Sequence, residues 1–372
     1  MAPIKTILHL TPFYPPNIGG VETHLQDLTQ VLSTQNYRQI VLTYSPLTTT
    51  VTYQRLEKKP NLIIRRFYLF GHNLFHTLEK YPLLNFCYIT PYLLVRSILW
   101  LLFHPQKIDT IHSHGLNGAI IGNILQKIFS IPRHLTSIYS TYDNVPLNSL
   151  GTKILVSTLN HTNHIVTQTD QSIHQLISLG VEPKRISRYY HWLDLNRFHP
   201  VKNKPSTFSV LFIGRLIPAK NALMLAKVAS KFPQLIFNFV GTGPDYPSLK
   251  KMSLVFPNIR LHGDIPYSRL HEYYQSNSIL CLPSKYSEGW GRVLAESVAC
   301  GTPVICSHLG GTVEAVDSTV AILIPPTISN FTKSIRLLST HSKIYLQMCR
   351  HCRPYATQHY SSDNIHYITQ FY

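Results

Sequence analysis

The sequence predicts an α/β protein with two domains, each built on a parallel sheet that helices cover on both faces. The chain has 372 residues, 44% of them hydrophobic, which is enough for two domains of ordinary size. Short β-branched segments alternate with longer helical patterns, and the alternation starts again after an irregular segment at 189–205. Because strand, crossover helix and strand form a parallel pair, each series indicates a doubly wound sheet.

Hydrophobic periodicity predicts the elements of each series. Helices are predicted at 21–33, 118–129 and 171–179, and residues 340–372 are predicted to be largely helical. Pro200 and Pro205 mark the segment between the series as a linker. The resulting domains are residues 1–200 and 201–355, with the last helix, about 356–372, free to pack back on the first. The predicted strands are 6–10, 40–43, 62–67, 108–112 and 165–169, then 209–213, 235–240, 259–262, 279–283, 304–306 and 321–324.

The formal charge of +17 favours anionic partners such as phosphates, acidic lipids or nucleic acid. The sequence contains no aromatic ribonucleoprotein motif, basic-region helix or complete zinc finger, so we expect no nucleic-acid partner. A basic protein that binds nucleic acid or an anionic surface remains the alternative from a different functional class.

The six cysteines form no dense framework, which is typical of a reducing compartment and predicts a cytoplasmic protein. Cys349 and Cys352 form one CxxC motif, and no second pair completes a four-ligand zinc site. We therefore interpret them as two thiols on a late helix and predict no metal site. The segment at 5–11 is short and Pro12 follows at once, so no signal peptide is predicted.

The apolar segment at 83–103 is long enough to cross a bilayer, but it contains Asn85, Pro91 and Arg96. A full span is the least favoured interpretation, because an arginine at mid-membrane costs about 2.5–3.5 kcal/mol. We interpret the segment as a helix buried in the N-terminal half. The alternative is a surface that rests on an anionic membrane, which the cation pairs at 58–59 and 65–66 favour.

Open parallel sheets bind ligands at the loops that leave the carboxyl ends of their strands. In the first such loop, Gly19 and Gly20 precede a helix and let backbone amides approach a phosphate. In the second, His112 and His114 share one side of a strand and are suited to binding a sugar hydroxyl or to proton transfer. Taken alone, these loops are equally typical of a structural turn and of structural histidines.

Two later loops carry charges at helix entrances. In one, Gly214 and Arg215 precede Lys220, and the two cations suit a diphosphate, although solvated charges would have the same pattern. In the other, Glu288 and Glu296 bracket a Gly-Trp-Gly turn that opens a helix. The amides of this turn can face a phosphate, and Glu296 can accept hydrogen bonds from ribose hydroxyls.

Taken together, the four loops resemble those of the retaining glycosyltransferases of family 4. These enzymes have the GT-B fold, in which two Rossmann-like domains have parallel sheets facing across a cleft. The resemblance runs from about residue 6 to about residue 325, and its most specific part is the glutamate pair followed by Cys-Gly-Thr-Pro-Val at 300–304. It implies that a sugar moves from a nucleoside-diphosphate sugar, without a cofactor, to a glycan, a lipid-linked molecule or a small molecule.

The resemblance also assigns roles to residues. His114 and Glu288 are implied to lie near the transferred sugar, and Arg215 and Lys220 to grip the diphosphate. Glu296 is implied to bind the ribose. The other implied donor-binding residues are Gly19 and Gly20 over the phosphates, Gly214 beside Arg215, Gly241 and Ile265 in the part of the second domain that holds the base, and Gly289, Trp290, Gly291, Arg292, Val293 and Leu294 in the turn.

Three departures from the family pattern stand out. Trp290 replaces the usual phenylalanine, His-Trp-Leu-Asp at 191–194 replaces a common Asn-Gly-Val-Asp, and the sequence after Pro325 matches little. The chain also lacks the Asp-x-Asp motif with which many glycosyltransferases hold a divalent metal. We therefore expect metal-independent transfer, with Arg215, Lys220 and helix-terminal amides stabilising the leaving group.

Retention of the donor's configuration is implied by the resemblance alone. Another GT-B enzyme, such as a sugar-nucleotide epimerase or a phosphorylase, is the alternative within the fold class. The expected location is the cytoplasm, with possible peripheral contact at the inner face of the cell membrane.

Overall fold

The protein consists of two compact units, described by a computed structural model that covers residues 4–17, 19–35, 37–47, 51–71, 74–78, 81–139, 149–202, 204 and 207–372. The first unit comprises residues 1–190 and 365–372, and the second comprises residues 191–364. The chain therefore changes unit before the expected boundary at residue 200, and the returning segment begins after the expected start at 356. Two α/β units with parallel sheets confirm the predicted fold class.

The sheet of the first unit has eight strands in the order β3-β4-β2-β1-β5-β6-β7-β8. Its described pairs are parallel except that of β3 with β4. The sequence predicts β1 and β4 residue for residue and misses β3, β6 and β8, because β3 is a charged edge strand, β6 begins with Arg133-His134, and β8 is short. The strands are β1 Thr6–Leu10, β2 Arg38–Tyr44, β3 Leu56–Lys59, β4 Leu62–Phe67, β5 Thr110–His114, β6 Arg133–Ile138, β7 His164–Thr167 and β8 Ile186–Arg188.

Helices alternate with these strands in the first unit. Polar N-caps begin two of them, since Ser149 and Thr169 accept hydrogen bonds from backbone amides three residues on. The helices are α1 Gly20–Thr34, α2 Leu74–Leu78, α3 Pro82–Phe103, α4 Gly115–Ile128, α5 Leu150–Asn160 and α6 Asp170–Leu179.

Helix α3 contains the apolar segment of the sequence. Its Ile89 and Leu93 are fully buried in the core of the first unit, whereas Leu102 and Phe103 are exposed. The part Leu84–Phe103 is long and apolar enough to cross a membrane, and 33% of its most apolar window is buried. The expectation of a buried helix is therefore right for one face of α3 and wrong for the other.

The sheet of the second unit has six parallel strands in the order β11-β10-β9-β12-β13-β14. The chain builds outward from β9 in one direction and then from β12 in the other, so the topological switch point lies between these two strands. The strands are β9 Ser209–Ile213, β10 Ile236–Val240, β11 Ile259–Gly263, β12 Ile279–Leu282, β13 Val304–Ser307 and β14 Ala321–Ile324. The helices are α7 Ala222–Ala229, α8 Tyr246–Val255, α9 Leu270–Gln275, α10 Arg292–Ala299, α11 Thr312–Ala315, α12 Ile328–Thr340 and α13 Ser342–His359.

The expected linker at 189–205 is packed against the second unit over much of its length. Trp192, Leu193 and Phe198 are buried, the last two in the same core cluster as Trp290. Burial lowers the pKa of Lys204, whose Nζ donates to Thr302 Oγ1 at 2.5 Å. Residues 203, 205 and 206 lie outside the described part of the chain.

The returning segment belongs to the first unit and contains a short helix, α14 His366–Thr369. Tyr372 is buried, and its hydroxyl lies 2.7 Å from His112 Nδ1. The Nζ of Lys5 donates to the Tyr372 carbonyl at 2.6 Å. Residues 365–372 therefore pack on the first unit, whereas the expected returning segment began at about residue 356.

Candidate active site

Three loops of the second unit meet at the carboxyl ends of β9, β12 and β13, beside the switch point. Lys285 N, after β12, donates to Ala219 O, after β9, at 2.8 Å. Gly311 N, after β13, donates to Glu288 O at 2.9 Å. These backbone bonds hold the loops in fixed register with one another.

The charged centre of these loops is an ion pair between Lys220 and Glu288. Lys220 Nζ lies 2.5 Å from both carboxylate oxygens of Glu288, and the Ser284 hydroxyl donates to one of them. The side chains are 22% and 13% exposed, so the pair is partly shielded from water. The structure thus brings together two residues that lie 68 positions apart in the sequence.

Arg215 lies in the same loop as Lys220, and its side chain is exposed. Among the described residues, no carboxylate forms an ion pair with it. The loop is fixed from behind, since Gly214 N donates to Val240 O at 3.1 Å and Leu216 N donates to Thr242 O at 2.8 Å. Arg215 therefore contributes a positive charge without a paired carboxylate to the loop that also holds Lys220.

Glu296 lies inside α10, as the sequence predicts, and is 2% exposed. It accepts a hydrogen bond from the Tyr274 hydroxyl at 2.7 Å and one from Arg292 Nε at 2.8 Å. Arg292 also donates to the Tyr267 hydroxyl at 2.7 Å. The carboxylate is thus fixed in one orientation at the base of the turn.

Part of the motif around the start of α10 is buried in the core, and part of it lies at the surface. Trp290 is buried, with its ring stacked on that of His191 at a centroid distance of 4.0 Å, and Leu294 is fully buried. A Cβ at Gly311 would lie 2.1 Å from Gly289 O, so the backbones pack directly against each other. The side chains of Trp290 and Leu294 serve the core, which leaves the turn's backbone and the half-buried Val293 and Gly291 for a ligand.

Gly241 and Ile265 occupy the neighbouring loops after β10 and β11. A Cβ at Gly241 would lie 2.1 Å from Gly214 O, so this glycine supports the Arg215 loop from behind. Ile265 is half-buried and packs against the core cluster that contains Leu193 and Phe198.

The remaining predicted residues lie in the first unit, after the adjacent parallel strands β1 and β5. Gly19 caps α1, and Gly20 is its first residue. His114 ends β5 and is 3% exposed, with Nδ1 2.8 Å from the Tyr139 hydroxyl and Nε2 3.1 Å from His9 Nδ1. The predicted residues therefore form one group in each unit.

His9, His112 and His114 form a buried cluster whose ring nitrogens are close enough together to suggest a metal-ligand set. Most of these nitrogens already have partners, however. His112 contacts the hydroxyls of Ser137 and Tyr372 at 2.8 and 2.7 Å, and His114 contacts Tyr139 and His9. Hydrogen bonds thus occupy five of the six ring nitrogens, and His9 Nε2 is buried without a partner among the described residues. The CxxC cysteines are not part of the cluster.

Burial lowers the pKa of each histidine in this cluster, that of His9 to about 3. Burial likewise lowers the pKa of His134 to about 3. These imidazoles are neutral at physiological pH, so the main role of His114 would be to form hydrogen bonds as a neutral group.

We expect the free energy of unfolding to fall as the pH drops below about 6.5, the pKa of an unfolded histidine. Below that pH the unfolded chain binds protons that the buried histidines of the folded chain do not bind. For His9 and His134 the loss continues down to their folded pKa of about 3. Each such histidine contributes about 1.4 kcal/mol per pH unit. Urea unfolding between roughly pH 7 and pH 5 measures the slope, and His134→Asn should reduce it by one histidine's share. An unchanged slope in that variant would contradict the assignment.

Sequence reasoning missed three residues of these groups. His9 lies directly opposite His112 in the register of the β1–β5 pair. This contact could have been predicted if β1 and β5 had been recognised as neighbouring strands. Tyr274, the buried partner of Glu296, and His191, the stacking partner of Trp290, come from distant segments and leave no local pattern in the sequence.

Two family models match the chain in succession. The model described as Glycosyltransferase Family 4 matches residues 18–197. The model described as Glycosyl transferases group 1 matches residues 196–359. Together they span most of the chain and meet near the division between the two units.

Curated relatives have low but extended similarity. The D-inositol 3-phosphate glycosyltransferase of Kribbella flavida is 26% identical over 275 residues, which cover 63% of this chain and 64% of that protein. A phosphatidylinositol N-acetylglucosaminyltransferase protein of Arabidopsis thaliana is 22% identical over 348 residues, which cover 90% of this chain and 74% of that protein. This chain therefore spans less than two thirds of the Kribbella protein.

Solved structures share the fold over nearly the whole chain. Anabaena HepE in complex with UDP and glucose has a TM-score of 0.76 at 17% identity, covering 98% of this chain and 97% of its own. Sucrose-phosphate synthase from Thermosynechococcus elongatus has a TM-score of 0.80 at 18% identity, with the same coverage. Both likenesses concern the fold.

Proposed function

Because the chain belongs to the group 1 glycosyltransferases, we propose that it transfers a sugar from a nucleoside-diphosphate sugar to an acceptor without a cofactor. The observation that carries this proposal is the loop with Arg215 and Lys220 at the switch point of the second sheet, held beside Glu288. Two cations at the carboxyl ends of parallel strands are suited to a diphosphate.

Cleavage of the sugar–diphosphate bond builds negative charge on the leaving group. In our proposal the Arg215 guanidinium and the Lys220 ammonium stabilise that charge, together with backbone amides at the start of α10. Glu288 fixes the Lys220 ammonium before the donor binds and lies near the transferred sugar. This arrangement needs no metal ion.

The donor's nucleoside would extend across the same face of the second unit. Glu296 would accept hydrogen bonds from the ribose hydroxyls, and the loops of Gly241 and Ile265 would line the base. The complex of HepE with UDP and glucose, a protein of the same fold, supports a nucleotide sugar as donor.

The acceptor in this proposal is a glycan, a lipid-linked molecule or a small molecule. Relatives named for inositol 3-phosphate and for phosphatidylinositol as their substrates support an acceptor of this kind. His114 and the Gly19–Gly20 turn belong to the first unit and would serve the sugar and the phosphates. Retention of the sugar's configuration follows from the family resemblance.

The proposal is tested by thermal unfolding of the protein with UDP-, GDP- and ADP-sugars. One of these should raise the unfolding temperature, because a ligand at 100 times its dissociation constant stabilises by about 2.7 kcal/mol. Salt-dependent DNA binding without any response to nucleotide sugars would instead favour the nucleic-acid alternative. Conversion of the sugar nucleotide to its epimer without an acceptor would favour an epimerase.

The proposed binding of ribose by Glu296 can be tested separately from its hydrogen bonds to Tyr274 and Arg292. We expect Glu296→Gln to raise the dissociation constant of the donor about tenfold, since a neutral amide accepts ribose hydroxyls less strongly than a carboxylate. Titration by calorimetry with the donor and its 2′-deoxyribose analogue measures both affinities.

The deoxy analogue should bind wild type more weakly than the donor does, and the variant should reduce that difference. Tyr274→Phe is the matched control, because it removes the buried hydroxyl that binds Glu296 and keeps the carboxylate. An equal deoxy penalty in wild type and Glu296→Gln would place the ribose contact elsewhere.

A further inference from the structure

Helix α3 exposes a face that has no charged side chain among its described residues. The exposed positions follow helical spacing, so they form one stripe along the helix. Phe103 is 77% exposed and Leu102 is 59% exposed. The large exposed apolar side chains of this stripe are Leu84, Tyr92, Val95, Leu99, Leu102 and Phe103.

The stripe is long enough to form a binding surface. From Tyr92 to Phe103 the helix rises roughly 17 Å, at 1.5 Å per residue. Tyr68 and Phe70, which follow β4, are also exposed, at 60% and 69%. Contiguous apolar surface of this kind marks an interaction site in a protein that folds in water.

Two guanidinium groups lie together at the edge of this surface. Arg96 of α3 and Arg65 of β4 approach the same ring, that of Phe67, at 5.1 and 5.7 Å from its centroid. Their Nε atoms are buried without a hydrogen-bond partner, and within the described residues neither arginine has an ion pair. The neighbouring Arg66, in contrast, pairs with Glu57 at 3.0 Å.

We propose that the exposed face of α3, with Arg65 and Arg96, docks the protein on an anionic membrane surface. The apolar side chains enter the boundary between headgroups and acyl chains, and the two guanidinium groups bind lipid phosphates. This inference goes beyond the proposed function and does not depend on the identity of the donor.

The charges favour a membrane over the other possible occupants. In a symmetric contact between two copies, the same arginines would face each other on a chain of net charge +17, and the exposed stripe offers them no acid. A full span would have to expose the buried face of α3, including Ile89, Leu93 and Trp100, to lipid and remove it from the core of the first unit.

Co-sedimentation of the full chain with vesicles tests the proposal. The protein should sediment with phosphatidylglycerol–phosphatidylcholine vesicles at low salt, stay in solution with phosphatidylcholine alone, and leave the vesicles as salt rises. Leu102→Glu with Phe103→Glu should lower the partition coefficient at least about tenfold, since each side chain loses its burial in lipid. Arg65→Gln and Arg96→Gln should each lower it about fivefold.

Helix α8 in the second unit supplies matched controls. Leu254→Glu replaces a leucine that is 79% exposed, and Lys250→Gln with Lys251→Gln removes two exposed cations. These variants should bind vesicles as wild type does, apart from a small uniform effect of charge. Unchanged thermal unfolding of the α3 variants shows that they remain folded.

Three outcomes would overturn the proposal. The first is wild type that stays in the supernatant with anionic vesicles at low salt, and the second is α3 variants that bind no worse than the α8 controls. The third is a dimer in light scattering that Leu102→Glu dissociates, which would assign the stripe to a second copy of the chain.

Discussion

Arg215→Ala is expected to lower the rate of sugar transfer about 10²–10³-fold, the loss typical of removing one preorganised group that stabilises developing charge. Arg215 is exposed, lies in the same loop as Lys220 and has no ion pair among the described residues, so its removal should leave the fold intact. Steady-state kinetics should show the loss mainly in kcat, because the leaving group gains its charge in the transition state.

Controls separate the role of Arg215 from general charge effects. Lys227→Ala removes an exposed cation from α7 in the same unit and should change the rate little. Arg215→Lys should recover part of the activity, since an ammonium supplies charge without the paired donors of a guanidinium. Activity of wild type should survive a chelator. Wild-type activity that requires added magnesium or manganese would count against stabilisation by fixed cations.

Gly241→Ala is expected to destabilise the second unit by about 3–5 kcal/mol, the sum of a strained backbone and an overpacked contact. Gly241 has φ near +126°, a conformation that favours glycine, and the new Cβ would lie 2.1 Å from the carbonyl oxygen of Gly214. Relief would push Gly214 and Arg215 out of position, so donor affinity should fall as well. Thermal unfolding should shift downward by roughly 10 °C.

Gly263→Ala is the matched control for this steric effect. Gly263 also has a positive φ, +68°, but a Cβ there would have nothing within 4 Å. The substitution should therefore destabilise only by the strain of a left-handed backbone conformation, about 1–2 kcal/mol. Equal destabilisation by the two substitutions would mean that the contact with Gly214 carries no energetic weight.

Several strands of both sheets were predictable because their residues are largely apolar and β-branched. β1, β4, β9 and β14 begin and end at the predicted residues. The outer elements of the first sheet were not predictable, since the charged β3 and the short β8 gain their order from pairing with a neighbour. The position of residues 191–198 also depends on tertiary packing, because Trp192 and Phe198 lie in a segment rich in proline and polar residues.

The positions of the charged residues of the candidate site could be predicted from the sequence better than the side-chain directions of the apolar ones. Glycine turns and helix entrances locate Arg215, Lys220 and Glu288 in loops at the carboxyl ends of the strands, and Glu296 in the helix that follows. Trp290 and Leu294 occupy the same motif, yet their side chains face the core. The direction in which a side chain points is set by the surrounding packing, which a short motif does not contain.

The second unit begins and ends at nearly the same place. Leu193 N donates to Tyr360 O at 3.1 Å, and Asn364 Nδ2 donates to His191 O at 2.8 Å. Residues 191–364 are thus a continuous insertion with adjoining ends, the arrangement in which one domain interrupts another without disturbing its core. Residues 191–364, which carry the loops of Lys220 and Glu288, can therefore be exchanged as one segment. The eight-stranded sheet of the first unit would then stay unchanged.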